Sequence, residues 1–151
     1  MKAILTLVAF LLLSLFITTP IVHASDIVLN EFVANPQSGE SEWVEFYNTT
    51  NSTIDLSDYY FDDDSDFNSD SGTSAKIALA GLLPSFQTCF LELSSYLNNN
   101  GDSPSIFKSG NILVDSYSYS SSSAGLSYAR VPDGGSWLYS QSPTKTLSKC
   151  T

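Results

Sequence analysis

The chain has 151 residues, with 16 Asp and Glu against 6 Lys and Arg and a single histidine, for a formal net charge of −10. So acidic a composition excludes the clustered Lys and Arg that nucleic acid and anionic membrane surfaces require. Hydrophobic residues make up 42% of the sequence, enough for one packed domain and, at this length, not for two.

The chain opens with Met1-Lys2, an apolar run interrupted by Pro20, and "VHA" before Ser25. A short basic start, an apolar segment, and small residues Val22 and Ala24 where a signal peptidase reads them predict a secretory signal peptide, residues 1–24, cleaved after Ala24. An uncleaved membrane anchor is the alternative, because the run approaches the length of a bilayer span. Met1 and His23 are the only methionine and histidine, so the remaining domain, 25–151, would have neither, and its net charge would be 5 − 16 = −11. Ser-His-Asp and Cys-His catalysis and histidine metal ligation are then closed to it. The expected location is secreted, extracellular or at the cell surface (periplasmic in a Gram-negative cell), with no membrane contact after cleavage and no nucleic acid partner.

From Ser25 onward no helical period is visible. Short runs rich in Val, Ile, Tyr, Phe and Leu alternate with Gly, Pro, Asn, Asp and Ser, which predicts an all-β sandwich or barrel. The predicted strands are 27–33, 42–48, 59–62, 76–80, 86–93, 105–108, 112–119, 126–130 and 137–140. In "SEWVEFYN", 41–48, side chains alternate across the pleat. Val44 and Phe46 are therefore assigned to the core, while Trp43, Glu45 and Tyr47 share an amphipathic, acidic opposite face. Asn35-Pro36, Ser38-Gly39, Asn99-Asn100-Gly101-Asp102 and Pro132-Asp133-Gly134-Gly135 read as turns, and the serine run 120–123 as a loop tip. Cys89 and Cys150 are an even pair in a chain bound for an oxidising compartment, which predicts one disulfide. Two free buried thiols are the alternative, since spacing gives no distance.

Seven segments in order carry a resemblance: "IVLNEF" at 27–32, "EWVEFYN" at 42–48, "IDLSDYYFDD" at 54–63, "LLPSFQTCFLEL" at 82–93, "LNNNGDSPSIF" at 97–107, "GNILVDSYSY" at 110–119 and "YARVPDGGSW" at 128–137. Together they resemble the lamin tail domain family in its secreted microbial form. The resemblance implies an immunoglobulin-like β-sandwich of eight or nine antiparallel strands, used as a scaffold or interaction domain without shared catalytic residues. The chain departs from the family's usual Gly and Trp at Asp58 and Tyr59, and from its Thr-Pro-Gly closure at "SPTKTLSKCT". Cys150 is expected to replace that closure by pinning the tail to the strand of Cys89.

Four constellations could carry chemistry. Glu31 and Glu45, on neighbouring strands, would serve as a glycosidase-like acid and base if they flanked a cleft; the plainer expectation is that they are solvated or turn-bonding residues of the fold. Asp115 and Arg130, the only arginine, are expected as a structural, charge-assisted pair or as two separate surface charges. "DDDSDFNSDSG", 62–72, places carboxylates at Asp62, Asp63, Asp64, Asp66 and Asp70. This pattern suits a calcium loop through Asp62, Asp64, Asp66 and Asp70, or else a solvated acidic loop, and it misses the EF-hand positions. Tyr59, Tyr60, Tyr117, Tyr119, Tyr128, Trp137 and Tyr139 could stack on sugars or anchor a partner, although sheet packing explains most rings. No cofactor is required. The expectation is a non-catalytic interaction or adhesion module with a protein or glycan partner at the cell envelope or outside the cell, the alternatives being a small secreted hydrolase or a carbohydrate-binding module.

Overall fold

The computed structural model describes residues 25–68 and 75–150, so the leader assigned to 1–24 lies outside the described residues. Among the described residues eleven strands follow in order: β1 (Ile27–Val33), β2 (Glu42–Asn48), β3 (Ile54–Asp55), β4 (Tyr59–Asp62), β5 (Ile77–Ala78), β6 (Leu82–Leu83), β7 (Thr88–Leu93), β8 (Ser105–Lys108), β9 (Ile112–Ser116), β10 (Ser127–Val131) and β11 (Ser136–Gln141). A five-stranded antiparallel sheet, β11-β10-β1-β2-β7, packs on a four-stranded one, β5-β4-β8-β9, with β3-β6 as a small ribbon. One 3₁₀ turn, Leu56–Asp58, joins β3 to β4, with Asp55 capping it by accepting the Ser57 N–H. The two short strands β3 and β6 escaped the sequence reading because two residues carry no alternation. The expected strand 112–119 ends early, at Ser116.

Alternation places the core. Leu29 and Phe32 from β1, Val44 and Phe46 from β2, Phe61 from β4 and Ile106 from β8 are all fully buried. Phe46 meets Phe61 edge-on at 6.2 Å between ring centres, which joins the two sheets. Phe32 stacks on Tyr128 at 5.1 Å and touches Tyr119 at 5.3 Å and Trp137 at 5.7 Å. Most of the aromatic residues considered for stacking are packing material, as sheet packing predicted: Tyr59, Tyr119 and Tyr128 are buried, and Tyr139 stacks on Tyr128 at 4.3 Å. Asn48 is buried at the end of β2, and its amide nitrogen reaches the carbonyls of Ser52, Leu83 and Pro84, fastening the β3–β6 ribbon to the main sheet.

The pairing of β1 with β2 is irregular at one place. Leu29 pairs with Phe46 and Glu31 with Glu45, so Asn30 is an extra residue in β1, a β-bulge. Leu29 and Phe32 both still face the core, and Asn30 and Glu31 are the two residues between them.

Phe46→Ala removes a buried ring that bridges the sheets and should lower unfolding stability by about 3 to 5 kcal/mol, read from urea unfolding followed by tryptophan fluorescence. A loss under about 1 kcal/mol would mean that the sheets do not share this core.

Candidate functional site

The outer face of the five-stranded sheet carries the acidic pair. Glu31 and Glu45 are directly opposed on β1 and β2 and are only 1% and 3% exposed. They are not solvated; of the two plainer expectations it is hydrogen bonding within the fold that holds, with a distant tail segment in place of a local turn. What covers them is the tail beyond β11, residues 142–150, which runs as an extended strap across the sheet toward β7. Thr144 donates its N–H to both Glu31 oxygens, at 3.0 and 3.2 Å, and its hydroxyl to Oε2. Thr146 donates its N–H to Glu45 Oε2 at 2.9 Å, while Asn30 donates its side-chain amide to Oε1 at 2.9 Å. Burying two like charges side by side is costly unless each is hydrogen-bonded, and the strap supplies those donors. Burial nevertheless pushes the Glu45 carboxyl above its ordinary value, with the Glu31 charge adding to the rise and the Asn30 and Thr146 donors opposing it.

Beyond the glutamates the strap meets an apolar patch. Val33, Trp43 and Phe90 form a small buried cluster on this outer face. The Lys145 ammonium lies 4.7 Å from the Phe90 ring centre and 5.7 Å from that of Trp43. Phe90 then donates its N–H to Ser148 O at 2.9 Å, and Cys150 donates its N–H to Phe90 O at 3.0 Å, a parallel bridge along the otherwise open edge of β7. Cys150 is disulfide-bonded to Cys89, closing a separation of 61 residues.

The bulge residue Asn30, which sequence reasoning missed, ties a third segment to this face. Its side-chain nitrogen also donates to Asp133 at 3.0 Å, and its side-chain Oδ1 accepts the Gly134 N–H at 2.9 Å, holding the turn between β10 and β11. Gly134 has φ +70°, and a Cβ there would meet the Tyr47 ring at 3.0 Å. The signal was present in "LNEF": two polar residues between two apolar ones break strict alternation, the mark of an inserted residue.

Asp115 and Arg130 meet as an ion pair at 3.0 Å. The pair joins the two sheets, β9 to β10, and serves the same bulge. Asp115 accepts the Leu29 N–H at 2.9 Å, and Arg130 donates to Leu29 O at 2.8 Å and Gly135 O at 2.8 Å. The backbone groups around the bulge are thereby satisfied by charged side chains.

The acidic segment after β4 divides. Asp64 Oδ1 accepts the Asp66 N–H and Asp66 Oδ1 accepts the Asn68 N–H, a run of side-chain-to-backbone turns. Asp62 and Asp63 are buried instead. Burial above all, with the neighbouring Asp63 and Asp64 carboxylates, pushes Asp62 up to about 7. Asp70 lies outside the described residues. Among the described residues, no three His, Cys, Asp or Glu side chains form a group that could hold one metal.

The Lamin Tail Domain family model matches residues 22–121. The chain belongs to the lamin tail domain family. No curated protein and no solved structure matches it. In this lamin tail domain the matched stretch ends before β10, so the β10–β11 hairpin, the strap and Cys150 all lie beyond it. Among the described residues no helix is long and apolar enough to cross a membrane.

Two measurements check the strap. Replacing both cysteines by serine should cost about 4 kcal/mol in the chain-entropy treatment of a loop this long, and mass spectrometry of the unreduced protein should find no free thiol. Glu45→Gln keeps one acceptor and turns an amide donor on Asn30 or Thr146. It should cost about 1 to 3 kcal/mol at neutral pH and speed amide exchange at Thr146. Because the folded Glu45 pKa is raised, between the ordinary and the raised value the folded state binds more of a proton than the unfolded chain does. Wild-type stability from this group therefore falls as pH rises from the ordinary carboxylate value through the raised one, and Glu45→Gln should remove that slope.

Proposed function

We propose that this lamin tail domain acts as a secreted, non-catalytic interaction and adhesion module, released by cleavage after Ala24 and working at the cell envelope or outside the cell with a protein partner. One observation carries the reading: the carboxylate pair placed for acid–base work, Glu31 and Glu45, is committed to the strap. Every oxygen of the pair accepts a hydrogen bond from Asn30, Thr144 or Thr146. A glycosidase needs the opposite, two carboxylates open to a cleft and to water. The depression that does reach Glu31, of about 180 Å³ and bordered by Arg130, Asp133 and Thr144, leaves Glu45 out. The disulfide suits an oxidising, extracytoplasmic setting. Family membership favours interaction over catalysis, though fold alone names no partner.

The test uses the domain from Ser25 onward, labelled and incubated with envelopes of its own cells. Saturable binding that protease treatment of the envelopes abolishes, and that periodate treatment leaves intact, is the expected result. Loss on periodate treatment alone would make the partner a glycan. Turnover of a glycoside substrate, abolished in Glu45→Gln at unchanged melting temperature, would replace this reading with the hydrolase.

A further inference from the structure

Asp62 is the last residue of β4, paired with Ser105 on β8, and it is 0% exposed. Its Oδ1 accepts the Asp63 N–H at 2.9 Å, but Oδ2 is buried with no hydrogen-bond partner, the single such side-chain atom among the described residues. The Asp63 and Asp64 carboxylates are close enough for their negative charges to act on Asp62. Across from them is the loop before β8. There Ser103 donates its N–H to Asp63 O at 3.1 Å, and Asp102, whose carboxylate feels the Asp63 charge, accepts the backbone N–H groups of Asn98 and Ser103. Folding thus encloses a carboxylate oxygen that accepts nothing, beside a second carboxylate, with the charges of Asp64 and Asp102 close by. A buried acceptor without a donor is costly. The fold tolerates it if something positive occupies the position.

We propose that the Asp62 and Asp63 carboxylates bind a divalent cation of the calcium class. The bound ion would close the exit of β4 against the loop that holds Asp102. The site differs from the one expected along the acidic segment. Asp64 and Asp66 spend an oxygen each on local turns, whereas the unused oxygen belongs to the buried residue. Calcium suits such a pair better than magnesium because it accepts irregular oxygen shells, and two carboxylates correspond to a weak site with a dissociation constant of about 0.1 to 1 mM.

Cation binding is read on stability and not on envelope binding, so its failure would leave the partner reading untouched. The experiment is thermal unfolding of the whole domain at about pH 8, above the raised Asp62 value, in chelator, in calcium chloride, in magnesium chloride, and in sodium chloride of matched ionic strength. It is paired with calorimetric titration of calcium chloride into wild type, Asp62→Asn and Asp66→Asn. Asp62→Asn should fold, because an amide there can donate to Asp63, and in chelator it should melt higher than wild type. Calcium should raise the wild-type melting temperature by several degrees, beyond magnesium or sodium, with the rise kept in Asp66→Asn and lost in Asp62→Asn. No calcium-specific rise in wild type, or a rise that Asp62→Asn keeps, or one that Asp66→Asn alone removes, would overturn the proposal. The first of these outcomes would leave a shared proton as the occupant.

Discussion

The extra residue in β1 sets what the outer face of the larger sheet can hold, because a regular strand would have placed only one of Asn30 and Glu31 there. With the bulge, both stand on the face away from the core while Leu29 and Phe32 keep their places inside. Asn30 then reaches the β10–β11 turn and Glu45, Glu31 receives the strap, and the displaced backbone of Leu29 is taken up by Asp115 and Arg130. Remove the bulge, and the strap, the turn and the inter-sheet ion pair would each lose an anchor at once. Bulges that re-aim side chains behave in this way elsewhere; here the side chain re-aimed is a fastener.

Much of the fold could be read from the alternation of side chains. Four strands, β1, β2, β4 and β8, have the bounds that their apolar periodicity dictates, and Val44 and Phe46 lie on the face assigned to them. The fate of the glutamates was not legible, and the reason is distance along the chain. Apart from Asn30, their donors sit 113 residues away at Thr144 and 101 residues away at Thr146, in a tail without strand periodicity. Nothing local marks "SPTKTLSKC" as a strap. Only the cysteine pair hinted that the tail returns, and a pair of cysteines gives neither path nor face. The aromatic residues illustrate a converse point. Packing was the expected use of most of the rings, which fill a small sandwich efficiently, and Phe32 alone gathers Tyr117, Tyr119, Tyr128 and Trp137.

The acidity of the chain is distributed unevenly between structure and solvent. Glu31, Glu45, Asp62 and Asp63 are buried. Glu42, on the rim, accepts the Tyr96 and Leu97 N–H groups, and Asp115 is spent on the bulge. Carboxylates are acceptor-only groups, and this fold uses them to satisfy backbone N–H groups at the places where strands end, bend or are crossed by other segments. A strongly negative composition therefore does not by itself describe a repelling surface.

The path of the strap also decides where tension would enter the domain. A pull applied to the chain beyond Cys150 would pass through the sulfur bridge into β7. The hairpin β10–β11 and the hydrogen bonds at Thr144 and Thr146 would stay outside the stretched path. Without the bridge the same pull would peel the strap off one donor at a time and then open β11 from the sheet edge, a sequence of small failures. The bridge converts that unzipping into a load on a strand already paired to β2 along six registered positions, so the weakest bonds of the face are shielded by the strongest one.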